Sequence, residues 1–435
     1  MKRCRISIIT MVGILGLFLC GCGSGKEEQD LKAEGELTFY CMEDDERAAL
    51  YMFEFKSRYP NITVNRVTFD DSSKMDDKVK TELNAGTGPD VILFSSKNSL
   101  DVLDMAKQGA FLALNEEMAE DKLLEEDDYL PGTFEAGKVD GKVYALPITF
   151  SIPFLTYDKT EELGFEPGPV ISFEEYCEAI AEDIERLKGD DTHRTLYCQR
   201  YFRSLLGAAQ VYAVSVEDQS VTIDAEGLKK TIDEIARFED GVEEANTFME
   251  RYVKIEPELP GHFTFLYHVY SDVTQAVCLW ENLYRADGIK EMGLSVIGNA
   301  DGSGVSAIAE SYGVVTANAM PYAYEFLRAA MDVSPTATSL DQYEMSLKKS
   351  KIEEQIDGNR DAKGTYQSVQ ISGLSKEMAE QLTEVYNSIT EVVIMNPVVR
   401  SMCRESFNPY MREGSKTYEE CYNEFEQKLN LYAGE

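Results

Sequence analysis

The stretch Asn84 to Ser96, NAGTGPDVILFSS, is compatible with few folds. Just upstream, Met75, Val79 and Leu83 recur at i, i+4 and i+8, which makes one apolar helical stripe. Gly86 falls where a helix favours a left-handed last residue, and Gly88-Pro89 blocks continuation. Val91 to Phe94 is apolar at every position, as befits a strand in the middle of a parallel sheet covered by helices on both faces. Ser95 and Ser96 then stand at the carboxyl end of that strand, the edge where open α/β sheets take ligands. They are candidate ligand-binding residues, with capping of the next helix as the alternative.

The preceding text repeats the pattern. Leu37 to Met42 reads as a strand, a helix runs to Tyr59 before Pro60, and Ile62 to Phe69 reads as a second strand. With the helix ending at Gly86, the strand Val91 to Phe94 and a helix ending near Gly109, this is βαβαβα, the text of a doubly wound sheet. Glu43 and Asp44 follow the first strand, so they could accept hydrogen bonds from a ligand's hydroxyls or cap the helix that follows.

Residues 1–22 read as an export signal. Lys2, Arg3 and Arg5 form a positive head, and the apolar run Ile6 to Cys20 is short for a span of about 20 residues. The run ends in Leu19-Cys20-Gly21-Cys22, which resembles a bacterial lipobox with Cys22 as the lipidated residue. Residues 23–35 are polar and Gly-containing, the composition of a flexible tether. Removing the signal takes the formal charge from −36 to −39. So acidic a chain repels nucleic acid and disfavours a strongly anionic ligand.

Outside the signal, Cys41, Cys177, Cys198, Cys278, Cys403 and Cys421 show no CxxC spacing, and His193, His262 and His268 form no metal-ligand pattern. Free buried thiols and disulfides both remain open for them. Nucleophile, zinc-protease and phosphate-loop motifs are absent, so no cofactor is expected. One stretch, Asn299, Asp301, Ser303, Gly304 and Glu310, occupies positions one, three, five, six and twelve of an EF-hand spacing. Its flanks read as strand and loop, and a Gly-rich connection is the alternative.

From Gly86-Thr87-Gly88-Pro89-Asp90 through Gly109-Ala110-Phe111-Leu112 to Asp140-Gly141-Lys142-Val143-Tyr144-Ala145-Leu146-Pro147 and Tyr157-Asp158-Lys159, the chain resembles family 1 of the extracellular solute-binding proteins. Asp158 departs from the Asn common there. Further on, SDVTQAVCLW (271–280) is similar to the family's strand ending in Trp, and Glu310 to Ala319 with Ala323 to Leu327 to its return strand and helix. Capping boxes start helices at Ser172-Phe173-Glu174-Glu175 and Thr417-Tyr418-Glu419-Glu420. The second helix carries Tyr418, Cys421, Phe425 and Leu429 on one face.

The resemblance implies a periplasmic-binding-protein-like (type II) α/β fold, two lobes hinged over a cleft. It divides the chain into a first lobe of 36–148 plus about 294–335 and a second of 149–293 plus about 336–435. It also implies a lipid-anchored monomer on the extracytoplasmic face that captures a small solute, most often a sugar or oligosaccharide, for the permease of an ABC importer. A secreted glycoside-acting enzyme and a receptor for a peptide or polyamine are the alternatives. In this pattern Phe150 lies just past a crossover, Tyr312 follows a loop, and Trp280, with Glu281 and Asn282 beside it, ends a strand at the cleft. Aromatic rings pack on sugar C–H faces while polar neighbours take the hydroxyls. For Phe150, Tyr312 and the sole Trp, core packing is the alternative.

Overall fold

The alternation of strand and helix forms as expected at the start of the chain. The computed structural model describes residues 30–45, 47–159, 168–175, 194–197, 214–217, 220–233, 236, 263–266, 277–278, 281–282, 285, 291–333, 345–361, 363–366 and 369–434. β1 (Gly35–Met42), α1 (Ala48–Arg58), β2 (Ile62–Phe69), α2 (Ser72–Asn84) and β3 (Val91–Ser95) follow one another, and β1 pairs in parallel with both β2 and β3. α2 opens on Asp71, whose carboxylate accepts from the Ser73 and Lys74 amides. It closes at Gly86 (φ 69°), where the Thr87 amide donates to the Glu82 carbonyl and the Gly86 amide to that of Leu83. That pair of bonds is a Schellman cap. A Cβ on Gly86 would meet no atom within 4 Å, so the left-handed backbone, rather than crowding, selects glycine.

Past β3 the sheet stops being purely parallel. The chain runs through α3 (Val102–Lys107), α4 (Asn115–Glu120) and the hairpin β4 (Lys138–Val139) and β5 (Lys142–Val143). The hairpin turns on Asp140 (φ 50°) and Gly141 (φ 77°), as a two-residue loop with two positive φ angles requires. β6 (Ala145–Ser151) is buried at every position and leads to β7 (Phe154–Asp158) and β8 (Val170–Ile171). The pair β9 (Arg194–Tyr197) and β12 (Phe263–Leu266) is parallel, and β10 (Val214–Glu217) with β11 (Ser220–Ile223) forms a hairpin. β13 (Met292–Ile297) joins β7 and β8 in a three-stranded sheet, and β14 (Ser306–Val315) follows. The rest is α5 (Ala323–Asp332), β15 (Met345–Ser346), α6 (Lys349–Arg360), β16 (Gly364–Tyr366), β17 (Val369–Ile371), α7 (Lys376–Asn387), β18 (Glu391–Val393), α8 (Pro397–Met411) and α9 (Tyr418–Ala433).

The main sheet has the order β15-β6-β14-β3-β1-β2, with β18 also on β14. β14 and β3 are antiparallel, and so are β14 and β6. Three expectations are corrected by this pairing. Residues 294–297 pair within β13 and the smaller sheet although Leu294 and Val296 share the core of Phe39 and Phe150, and β14 is the strand that enters the main sheet. Residues 345–393 attach to the first sheet, since β15 pairs with β6 and β18 with β14, while Ile352, Ile356, Leu382, Val385 and Tyr386 share a core with Phe39 and Phe150. The tether ends earlier than residue 35: the Asp30 amide donates to the Arg58 carbonyl, Asn61 donates to the Leu31 carbonyl, and Ala33 is buried.

The C-terminal helices pack as their spacing predicts. Tyr418, Cys421, Phe425 and Leu429 of α9 are buried with Val399, Cys403 and Phe407 of α8, in a core that includes Tyr157, Phe173 and Ile297. Both capping boxes form, reciprocally, at Ser172 with Glu175 and at Thr417 with Glu420. Cys41, Cys278, Cys403 and Cys421 are buried free thiols, and burial pushes the Cys41 thiol up to about 11 and that of Cys403 to about 12. Cys177, Cys198 and the three histidines lie outside the described residues, as do the export signal and Cys22. Among the described residues, no helix is long and apolar enough to cross a membrane.

Candidate functional site

β3 ends at the middle of the main sheet, and its tip is held from several directions. The Ser95 amide and hydroxyl both donate to the Asn98 side-chain oxygen, at 2.9 and 3.2 Å. Asn98 is itself buried and donates to Asp76, which also accepts from the Ser99 amide and hydroxyl. Neither Ser95 nor Ser96 caps the next helix, because Asp101 caps α3 through the Asp104 amide. Ser96 instead reaches across to β14: its amide donates to the Glu310 carbonyl at 2.8 Å and its hydroxyl to the Glu310 carboxylate at 2.6 Å.

Glu310 is 4% exposed and sits where the β14–β6 register shifts, between the pairs Ala309–Phe150 and Ser311–Thr149. A residue at such a bulge has its side chain turned out of the ordinary alternation. The second carboxylate oxygen accepts from the Ser151 hydroxyl at the end of β6, and the Thr149 and Ser311 hydroxyls pair at 2.6 Å alongside. Tips of β3 and β6 and the middle of β14 thus converge on one carboxylate and four hydroxyls. A carboxylate bonded by hydroxyls, like the hydroxyls themselves, can exchange those partners for hydroxyl groups of a bound molecule.

Glu43 and Asp44 lie on the exposed loop after β1. Arg66 of β2 anchors that loop, its guanidinium donating to the carbonyls of Met42, Glu43 and Asp45 and to the Cys41 sulfur. Asp44 pairs with Lys97 of the β3 loop at 2.8 Å, joining the two sheet-edge loops. Neither residue caps α1, whose N-cap is Arg47. Glu43, Asp44, Ser95 and Ser96 therefore share one edge of the sheet, as expected.

Three other candidates are buried away from that edge. Phe150 is fully buried in β6, edge-to-face with Tyr386, because the strand is covered on both faces. Tyr312 stacks on Phe94 at 5.8 Å inside the sheet's other core layer, and burial pushes its phenol well above the usual range. Glu281 is buried and committed: one carboxylate oxygen accepts from Arg285 and the other from the Ser375 amide at the start of α7. Asn282 likewise holds the Ser372 amide and hydroxyl. Within the stretch expected as a strand, Val277 and Cys278 are helical, as are Glu281, Asn282 and Arg285 beyond it. Trp280 lies outside the described residues.

The EF-hand-like spacing is a turn between β13 and β14. Asn299 contacts the Ser303 hydroxyl, the Ser306 amide and Glu391, while Asp301 accepts from the Ser303 amide and Glu310 is engaged with Ser96 and Ser151. Among the described residues no group of three or more His, Cys, Asp or Glu could hold a metal ion. Glu310 was visible in the sequence only as a calcium-loop position. Its better signal is a lone carboxylate within SAIAESYGVV, which a buried strand accommodates only with partners.

A family described as bacterial extracellular solute-binding protein matches residues 51–254. Over that stretch the chain is similar to the bacterial extracellular solute-binding proteins. A multiple sugar-binding protein of Streptococcus mutans is 24% identical over 166 residues, a stretch that covers 37% of each chain. Among solved structures, the sugar-binding protein MalE from Xanthomonas citri aligns with a TM-score of 0.64 at 16% identity, covering 92% of this chain and 97% of that one. A family 1 solute-binding protein from Alicyclobacillus acidocaldarius aligns at 0.57 with 14% identity over 93% and 100% of the two chains. The galacto-N-biose and lacto-N-biose I binding protein of Bifidobacterium longum, in complex with lacto-N-biose, aligns at 0.55 with 15% identity over 90% and 95%. These likenesses show the two-lobed α/β fold of the solute-binding proteins they align with.

Proposed function

We propose that this protein captures a neutral sugar or oligosaccharide outside the cell and delivers it to the permease of an ABC importer, without chemical turnover. The observation that carries the reading is the convergence of Ser96, Glu310, Ser151, Thr149 and Ser311 at the carboxyl edge of β3, where two lobes of a solute-binding fold are joined by β6 and β14. Such a set donates to and accepts from hydroxyls without placing a fixed charge pair against them. Glu43 and Asp44 extend this edge, and Trp280 supplies the apolar face for sugar C–H groups. The sugar-binding relatives support the substrate class. Lipidation at Cys22 anchors a monomeric receptor to the membrane, and the lobes close over the solute.

Thermal-shift screening of the chain against sugars, amines and peptides, with glycosidic products assayed in parallel, tests the reading. Stabilisation by an oligosaccharide with no turnover is the expected result. Released products would make it an enzyme, and stabilisation by amines or peptides alone would move the substrate class.

A further inference from the structure

α8 and α9 bury their apolar faces in the second core, with Tyr157 and Ile297, whereas α3 buries Val102 and Ala106 against the first sheet beside Ile92 and Phe94. These two bodies meet at a small polar junction. One oxygen of Asp101 caps α3 through the Asp104 amide at 3.0 Å. Its other oxygen accepts from the Asn396 amide group at 2.8 Å and from the Tyr432 hydroxyl. Asn396 divides its side chain in the same way: its oxygen caps α8 through the Val398 and Val399 amides, and its nitrogen donates to Asp101 and to the Tyr432 oxygen. Arg400, one turn further along α8, donates to the Ser96 carbonyl at 2.7 Å.

The atoms that terminate the helices are therefore distinct from the atoms that bridge the lobes. Asp101, Asn396, Arg400 and Tyr432 are all part-exposed, so water can take over each bridging bond when the bodies part. Contacts between units that are polar and small permit relative motion, unlike a large apolar seam.

We propose that Asp101, Asn396 and Tyr432 form an inter-lobe latch that holds the C-terminal helices against the first-lobe strand tip, with Arg400 coupling the latch to Ser96. The latch sets the lobe separation before any solute arrives, and it biases whatever arrangement a solute selects. It does not depend on which solute binds, so its test is separate from that of the substrate class.

The test is small-angle scattering of the solute-free protein. Asn396→Asp keeps an oxygen for the α8 amides but turns a carboxylate toward Asp101, and it should enlarge the radius of gyration. The swap Asp101→Asn with Asn396→Asp keeps an acceptor at both helix starts, restores one donor facing one carboxylate, and should return the radius to that of the parent. Tyr432→Phe touches neither cap and should give a smaller expansion in the same direction. A parent-like radius for Asn396→Asp, or an expansion that the swap leaves in place, would overturn the latch. If Asn396→Asp unfolds by circular dichroism, Tyr432→Phe decides alone, and a parent-like radius for it refutes the proposal.

Discussion

Two sets of carboxylates drawn out of water in the first lobe, one mostly and one fully buried, are satisfied by different chemistry. Behind the sheet, Arg328 is 2% exposed and sits between Asp121 at 3.0 Å and Asp332 at 2.5 Å. Asp332 also meets Arg58 and Lys348, and the hydroxyls of Tyr324 and Tyr129 reach Asp121 and Asp332. This network joins α1, α5, the loop after α4 and the start of α6. At the tip of β3, Glu310 takes hydrogen bonds from the hydroxyls of Ser96 and Ser151. Opposite charges brought together out of water lock a geometry, since removing either leaves a buried charge. Hydroxyl partners are worth less each and can be replaced by other hydroxyls. The first arrangement suits a scaffold and the second suits a surface that must trade partners with a solute.

The largest effect expected of this difference is at Arg328. Arg328→Met strands Asp121 and Asp332 and should cost about 3–5 kcal/mol of stability by denaturant unfolding. A loss well under about 1 kcal/mol would show that Arg58 and Lys348 suffice, and would remove the contrast. Glu310→Gln keeps the side chain's shape and should cost about 1–3 kcal/mol, while lowering affinity for whichever sugar the screen identifies. Equal stability losses at Arg328 and Glu310, with sugar affinity untouched, would make Glu310 part of the scaffold.

A closer matched pair is Tyr324→Phe against Ser151→Ala, each deleting one hydroxyl donor to a buried carboxylate. Both should cost about 1 kcal/mol of stability by denaturant unfolding. Only Ser151→Ala should also change sugar affinity; a change with Tyr324→Phe instead would reverse the assignment of the two regions.

The smallest effect concerns pH. Burial raises the Glu325 carboxyl above its ordinary 4.5, with the nearby Asp121 and Glu117 adding to the rise and a backbone hydrogen bond opposing it. As pH climbs from about that ordinary value toward the raised one, the folded chain keeps a proton that the unfolded chain has released, so stability falls across this window and stays lower above it. Glu325→Gln abolishes the fall. Its melting midpoint should gain on the parent's more at pH 7 than at pH 4, and a gain independent of pH would mean that Glu325 titrates normally.

Many of the local elements could be read directly from the sequence. The Schellman end at Gly86, the Asp140-Gly141 turn, the strand Ile62–Phe69, both capping boxes and the buried face of α9 each depend on residues within a few positions of one another. The candidate site was legible only by half. Position at a strand tip brings Ser95, Ser96, Glu43 and Asp44 to one sheet edge, but core burial of Phe150 and Tyr312 and the pairing of Glu281 depend on Tyr386, Phe94 and Ser375, which are distant in sequence.

By itself, then, the sequence determined the elements and carried the family resemblance, because helix ends, turns and apolar periods are short-range properties of the chain. Tertiary structure alone decided that residues 345–393 return to the first sheet, that Glu310 lies at a bulge facing Ser96 and Ser151, and that Asp101 meets Asn396 and Tyr432. Each of those joins positions separated by more than 80 residues, and which of many acidic residues finds which hydroxyl is set by strand register and helix packing, for which no local pattern exists.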